Sequence, residues 1–595
     1  TLKTNRERER EREGRPEMAM MLMMRSSRRL LTTAAGSSME TVLNPAVVKP
    51  MTCFQCEQTE NHTANSHGGC TIQGVCGKTP ETAALQDLLV YAIKGIGEYA
   101  HQLSQKTGQV DMDAGRFVAF GLFSTLTNVN FDPERFRVFL QEAQDLRDRL
   151  ASHPAAPTLT SPTATFSCST SDLNRLVTYG KNIGLQVRQA QDGHDLVALQ
   201  ELIVYGLKGA SAYCDHAHRL GKEDPEVYRS FFEILSFFAS PESKSPEKCL
   251  EVALKVGECN YRVMDMLERG HIDKFGAPEP TQCNVSVKKG PAILVSGHDL
   301  VDLDAVLQAT EGTGINVYTH GEMLPGNAYP GLKKYPHLAG NFGGPWQLQK
   351  FEFAQFKGPI LITTNCLMEP RKSYRDRIYT TNAVGWPGVK ILEDMNQLVQ
   401  HALSMDGFPE NDPEPKNITI GFGKNTILSH AGAVLGAIKD GQIDKFFVIG
   451  GCDGSEGERS YFTDLATHLD SKSVVLTMGC GKYRFNKLPF GEVAGFPRLM
   501  DMGQCNDAYG AIQVALTLAE ALNTDVNSLP IHYAISWFEQ KAVAVLLTLL
   551  HLGVKRIHLG PRLPAFVPPS TLELLVNTFE LAPISTPEKD FPLNP

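Results

Sequence analysis

No Gly-x-Gly-x-x-Gly run follows an apolar strand with an acidic residue about twenty positions on, so the chain lacks the signature of a bound dinucleotide. Basic charge is not in excess either. Lys and Arg number 57 against 66 Asp and Glu, a net charge of -9, and this argues against a nucleic-acid partner, because neutralising phosphates takes a basic surface. The longest apolar run, AVAVLLTLLHLGV from Ala542, is interrupted by Thr548 and His551 and falls short of the ~20 residues that span a bilayer. A secretory leader with a long, arginine-free apolar core is also missing. The 13 cysteines, an odd number, therefore read as reduced thiols kept for metal binding rather than as a disulfide framework.

What is present is an ordinary globular composition, 42% hydrophobic and 21% charged. A length of 595 residues suits about three or four domains of roughly 150 residues each. Residues 1–50 stand apart as a leader. RERERERE from Arg6 is low-complexity, and Met18 to Ser38 carries Arg25, Arg28, Arg29 and several hydroxyls but no acid. That composition predicts an organellar transit peptide, mitochondrial or plastid, with a disordered tail of a cytoplasmic protein as the alternative.

The motif CFQCEQTENHTANSHGGCTIQGVCGK holds Cys53, Cys56, Cys70 and Cys76 in the spacing C-x2-C-x13-C-x5-C. Four thiolates this close in sequence can surround one metal centre while the loop donates N–H bonds to the sulfurs. A structural zinc site is the alternative, but its second pair usually comes as C-x2-4-C, so the x5 spacing leans towards iron and sulfide. Beyond it the pattern turns helical. LQDLLVYAIKGIGEY at Leu85–Tyr99 recurs as LQELIVYGLKGASAY at Leu199–Tyr213, an offset of 114 residues. A repeated helical unit too apolar on one face to stand alone predicts two antiparallel bundles, split by the Pro-rich link near Pro157, with the cysteine motif docked on them. Cys168, Cys214, Cys249, Cys259 and Cys283 have no partner spacing and read as core fillers. His216 and His218, two apart on a helix, face different directions and suit a surface or helix-end role rather than a metal.

From Pro291 strands and helices alternate, and after the linker Gly407–Asn417 the segment ITIGFG starts a second alternating series. The expected division is a leader 1–50, a helical domain 51–285 and two α/β domains, 286–416 and 417–595. Short apolar runs lead into potential metal ligands again and again. AILV precedes His298, INVY precedes Glu322, ILITT precedes Cys366, FFVI precedes Cys452, VVLT precedes Cys480 and HYAISW precedes Glu539, while Cys505 follows in LMDMGQCND. Ligands of open α/β sheets sit beyond the carboxyl ends of the strands, so the set points to one site of mixed S, N and O donors. Singly, a strand-end cysteine is often just buried and Glu539 could cap the next helix. Seven such residues in equivalent places favour the metal.

These residues resemble the hybrid cluster protein (prismane) family, assigned as hydroxylamine reductases. CFQCEQT, SGHDL, THGEMLP, GPILITTNC, VGWPGVK, GGCDG, GCGKYRFN, GQCNDAYGA and SWFEQKA match its motifs in order, over nearly all of the chain after the leader. The resemblance implies a fold of the α/β multidomain class: an N-terminal all-α domain of two three-helix bundles and two Rossmann-like α/β domains, a shape shared with nickel carbon monoxide dehydrogenases. It also implies a hybrid iron–sulfur–oxygen cluster of 4Fe-2S-2O type on His298, Glu322, Cys366, Cys452, Cys480, Cys505 and Glu539, with Cys452 modified to a persulfide. A second cluster falls to Cys53, Cys56, Cys70 and Cys76. The x13 gap is longer than in that family's [4Fe-4S] or [2Fe-2S] variants; the x5 spacing favours [4Fe-4S], with [2Fe-2S] the alternative.

The expected reaction is two-electron reduction of hydroxylamine to ammonia and water. Cys452 and Glu539 would act at the reacting centre, with Lys541 and His298 as proton donors. Lys541 could equally be a surface residue of a first helical turn. Reduction of nitric oxide to nitrous oxide, or nitric oxide sensing and nitrosyl transfer, would use the same residues; carbon monoxide oxidation fits the motifs less well. Without a dinucleotide site, the expected electron donor is a ferredoxin or an NADH-linked iron–sulfur reductase.

Overall fold

The computed structural model describes residues 49–60, 68–454, 457 and 459–592; the transit-peptide composition at 18–38 lies outside them. No helix among the described residues is long and apolar enough to cross a membrane.

Helices carry the chain from Pro80 to Phe275: α1 (Pro80–Thr107), α2 (Met112–Ser124), α3 (Pro133–Ala151), α4 (Leu173–Ile183), α5 (Leu185–Asp192), α6 (His194–Arg219), α7 (Pro225–Phe237) and α8 (Pro246–Phe275). Their starts are written in the sequence. Thr79, Asp132, Asp224 and Ser245 each accept a backbone N–H at an N-terminus whose first turn holds a proline. The internal repeat falls in α1 and α6. α1 packs on α2, α3, α4 and α7, whereas α6 packs on α2, α8 and the helix Gln540–His551 that follows Glu539.

The repeated glycines mark where another backbone crosses each helix. A Cβ at Gly209 would lie 2.2 Å from the Gln540 carbonyl oxygen, and one at its repeat mate Gly95 2.3 Å from that of Thr163. Gly209→Ala is therefore expected to destabilise the protein by roughly 1–3 kcal/mol despite alanine's better helix propensity. Gly436→Ala, with nothing within 4 Å of the new methyl, should be neutral or stabilising by about 0.5–1 kcal/mol. Thermal unfolding of the two variants separates close approach from propensity.

Beyond α8, strand β1 (Thr281–Asn284) leads into a parallel sheet of β2 (Ala292–Ser296), β3 (Asn316–His320), β4 (Leu338–Asn341), β5 (Ile360–Ile362), β6 (Ile378–Thr380) and β7 (Lys390–Ile391). After β8 (Asn417–Ile420), a second parallel sheet holds β9 (Lys445–Gly451) and β10 (Ser473–Thr477). A hairpin of β11 (Glu492–Val493) and β12 (Phe496–Pro497) then interrupts it. The sheet continues with β13 (Leu499–Asp501), β14 (Ile531–Ser536), β15 (Ile557–Gly560) and β16 (Ala582–Pro583). The strand orders are β4-β3-β2-β5-β6-β7 and β13-β10-β9-β14-β15-β16. Both run 3-2-1-4-5-6, the doubly wound order, and so each has a switch point, between β2 and β5 and between β9 and β14.

One expectation needs correction. ITIGFG does form a strand, but β8 pairs antiparallel with β1 and does not open the second sheet. Its burial alternates along Asn417–Ile420, as suits a ribbon with one wet face, whereas the fully buried β2 and β10 read as continuous apolar runs. Of the surface or helix-end role expected for His216, the structure shows the helix end. The residue is buried in the last turn of α6, with Nδ1 3.5 Å from Asp299 Oδ2, because that helix end abuts the loop after β2, where Arg219 pairs with Asp299 and Asp302. His218 shares that helix end and faces Glu223 at 3.3 Å. Cys214, Cys249, Cys259 and Cys283 are buried in the core and Cys168 packs against it.

Candidate metal centre

All seven strand-end residues lie within four residues beyond a strand's carboxyl end, and four of them, His298, Cys366, Cys452 and Glu539, follow the strands that flank the two switch points. How each chain turns at that point is visible in the residue before it. Gly297, Gly321, Gly451 and Gly479, which precede His298, Glu322, Cys452 and Cys480, all have positive φ. At Gly451 a Cβ would sit 1.9 Å from the Ser536 carbonyl oxygen, so only glycine lets β9 end against β14 and throw Cys452 inward. Cys366 has no such glycine and itself adopts φ 75°, a strained conformation held by its surroundings.

The donors converge. Ligand atoms of His298, Glu322 and Cys505 lie within 4.8 Å of one another. Asn365 joins a second group, its amide Nδ2 being 3.6 Å from Cys366 Sγ and 3.4 Å from Glu539 Oε1. Cys366, Cys452 and Cys480 pack together against Trp346 and Phe538, whose rings lie 4.2 Å apart. Glu539 also caps its helix, accepting the Lys541 backbone N–H at 2.8 Å. The capping role and the cleft-facing role thus belong to one side chain.

Electrostatics show what the cleft lacks. Burial pushes the thiols of Cys366, Cys452 and Cys480 well up, and the neighbouring thiols and carboxylates add to it. Cys505 is pushed up to about 12, by burial first. Burial likewise raises Glu322 and Glu539, against Lys482 and Lys541. Four thiols and two carboxylates in one dry cleft ionise together only around added positive charge, and a buried Glu322 Oε1 without a hydrogen-bond partner is aimed for it. Soft and hard donors together fit iron and sulfide with oxygen-bound positions.

Around the donors stands a shell that the sequence did not single out. Thr364 Oγ1 contacts His298 Nδ1 at 2.9 Å and accepts its backbone N–H at 2.7 Å, which leaves Nε2 as the nitrogen available to a metal. Gln504 donates to the carbonyls of His298 and Glu322 at 3.1 and 2.6 Å. The buried pair Lys482–Asp501, 2.7 Å, ties the turn that carries Cys480 to the one that carries Cys505. Thr364 and Asn365 adjoin Cys366, and Gln504 adjoins Cys505; polar residues flanking a ligand were the available signal. Thr364→Val is expected to weaken metal retention at this site about 10- to 100-fold, checked by chelator challenge, with the N-terminal motif unaffected. Lys541 is buried, not superficial, and its Nζ donates to Asn365 Oδ1 at 2.9 Å.

The N-terminal cysteines form a second group. Cys53 and Cys70 exchange backbone hydrogen bonds at 3.1 and 2.8 Å, and Cys56 and Cys76 are each coupled electrostatically to Cys53 and Cys70. Burial, then the other three sulfurs, raises Cys56 well above the usual thiol range, and a cation held among the four thiols would offset this. Its loop is fastened to the cleft. The Glu57 N–H donates to the Phe538 carbonyl at 3.0 Å, Gln540 Nε2 donates to the Gln55 carbonyl at 2.9 Å, and Arg459 grips the Glu57 carboxylate at 2.7 and 3.0 Å. Cys56 itself packs into the Trp346–Phe538 group.

A family model described as Prismane/CO dehydrogenase family matches residues 51–592. The hydroxylamine reductase of Zymomonas mobilis is 47% identical over 536 residues, covering 90% of this chain and 97% of that one. That of Burkholderia ambifaria is 48% identical over 545 residues, with coverage of 90% and 97%. That of Methanocella arvoryzae is 46% identical over 547 residues, with coverage of 91% and 99%. Among solved structures, the alpha subunits of acetyl-CoA synthase/carbon monoxide dehydrogenase align with a TM-score of 0.52 at 14% identity, over 96% of this chain and 90% of that one. This second likeness is one of fold.

Proposed function

The chain belongs to the Prismane/CO dehydrogenase family, and from that premise we propose that it is a hydroxylamine reductase, which adds two electrons and two protons to hydroxylamine and releases ammonia and water. The observation that carries this reading is the convergence of His298, Glu322, Cys366, Cys452, Cys480, Cys505 and Glu539 on one buried cleft beside a buried lysine. When bound there, a hybrid iron–sulfur–oxygen cluster would supply electrons and a Lewis-acidic iron position, fed by a [4Fe-4S] cluster on Cys53, Cys56, Cys70 and Cys76. Cys452 is the proposed persulfide. The chain's own part is proton delivery, orientation and exclusion of water. Lys541 holds a proton at Nζ inside the cleft, and Asn365 fixes it by accepting one N–H while donating towards Glu539. Thr364 locks the His298 ring, and Trp346 and Phe538 close the side towards the N-terminal loop.

This reading divides the chain at 285/286 and 416/417, into two three-helix bundles and two Rossmann-like units. It takes electrons from a ferredoxin or an NADH-linked iron–sulfur reductase, and it assigns the arginine- and hydroxyl-rich stretch 18–38 to organelle import. The relatives' name favours hydroxylamine over nitric oxide as substrate. The test is ammonium formation from hydroxylamine under strict anaerobiosis, with iron-loaded protein and a reduced dye. Ammonium in proportion to dye oxidised is expected. Full iron loading without ammonium would reject the reductase reading and favour nitric oxide reduction or sensing.

A further inference from the structure

The helical repeat places charge as well as apolar surface at equivalent positions. Asp87 and Glu201, Tyr91 and Tyr205, and Lys94 and Lys208 are pairs at the offset of 114. The two lysines share Asp87 and Glu201 as neighbours, but of the two only Lys208 also faces Lys78 and Cys53. Lys94 Nζ lies 3.8 Å above the Phe238 ring. Lys208 is buried, with 4% of its surface exposed, and its Nζ reaches the Gln55 side-chain oxygen at 3.4 Å, between Cys53 and Cys56. Its hydrogen-bond partner is thus a neutral amide, whose own Nε2 is buried without a partner.

A buried ammonium costs several kcal/mol unless negative charge stands near it. The carboxylates around Lys208 are shared. Glu201 Oε1 is held by Arg188 at 2.7 Å, and Asp87 and Glu201 between them face Lys94, Arg188, Lys208 and, for Asp87, Lys78. Cations outnumber carboxylates, and what remains to balance them is the Cys53 loop. Burial and Lys78 press the Lys208 ammonium down to about 8, while Asp87, Glu201 and Cys53 oppose them. A cubane on four thiolates is anionic, and more so when reduced. A positive charge fixed beside the Cys53–Cys56 loop would favour the reduced form, with little solvent screening at this depth.

We propose that Lys208 is a positioning residue for electron entry, its buried charge raising the reduction potential of the N-terminal cluster, and that Lys94, its repeat mate, does not share this role. The inference rests on the reading that Cys53, Cys56, Cys70 and Cys76 hold an iron–sulfur cluster. The test is an EPR-monitored redox titration of the iron-loaded full chain. Lys208→Met is expected to shift the N-terminal cluster's potential downward while leaving iron content and the second site's signals unchanged. Lys208→Arg should stay close to wild type, and Lys94→Met should shift the potential less than Lys208→Met does. Should Lys208→Met fail to load, Lys208→Gln, which keeps a donor for Gln55 without the charge, reads the same shift. An unmoved potential in the loaded neutral variant, or an equal shift in Lys94→Met, would overturn the inference. A loaded wild-type protein with no N-terminal cluster signal would overturn the cluster reading and this inference with it.

Discussion

Cys452→Ala and Glu539→Gln are expected to lose hydroxylamine reduction by at least about 10²-fold, while the spectrum of the N-terminal cluster survives. An outer-shell partner of a metal already accounts for about 10- to 100-fold, so a ligand should exceed that. The two variants isolate different arguments. Cys452 stands at the end of β9 beside the switch point, and its thiol is raised by burial and then by Cys505, Glu539, Cys366 and Glu322, so a neighbouring cation is needed to ionise it. Alanine there removes one sulfur and leaves the Gly451 turn intact. Glu539 has the competing role of helix cap. Glutamine keeps an oxygen for the Lys541 N–H, so helix stability should change by less than about 1 kcal/mol, and only the anionic donor is lost. Thermal unfolding of the metal-free proteins measures the first effect, and dye-linked turnover with iron content the second. Wild-type turnover in both loaded variants would sink the assignment of the cleft.

The strand-end residues were legible because two physical constraints write themselves into sequence. A parallel strand buried on both faces is a short unbroken apolar run, and a chain that turns sharply against its neighbour needs glycine, so Ile293–Ser296 then Gly297, and Phe446–Gly450 then Gly451, announce both strand and turn. Cys366, without a preceding glycine, carries the turn in its own positive φ, which sequence does not display. β8 was placed in the wrong sheet because local pattern gives a strand's existence and not its partner; Thr281–Asn284 lies over 130 residues away. The burial of His216 at its helix end was not legible for the same reason. Spacing along a helix fixes where an imidazole points around the axis, but Asp299 and Arg219, which bury that helix end, come from contacts between helix and sheet. Thr364, Asn365 and Gln504 were overlooked because polar residues in loops are common, and only the distances single them out.

Lys541→Met should lower kcat by about 10²- to 10⁴-fold with KM for hydroxylamine little changed, the range expected when a positioned proton donor is removed. Burial lowers the proton affinity of this ammonium, but Cys505, Glu539, Cys366 and Cys452, when ionised, outweigh it and hold that affinity above the ordinary lysine value. The sign follows directly. A group raised in this way stays protonated through neutral pH and loses its proton only above the usual lysine value of about 10.4. The wild-type rate should therefore show no alkaline limb from Lys541 between neutrality and that value, whereas a lysine lowered by burial would produce one. Lys541→Arg should rescue little, since a planar guanidinium neither fits the Nζ–Asn365 geometry nor gives up its proton. Removing the partner tests the same arrangement. Asn365→Ala frees the Nζ and leaves Glu539 Oε1 without its amide donor, so it should lower turnover by about 10- to 100-fold and leave cluster content intact. If Lys541→Met and Asn365→Ala both turn over hydroxylamine at the wild-type rate, protons reach the cleft by another route, and the buried Lys541 serves only to balance the charge of its thiols.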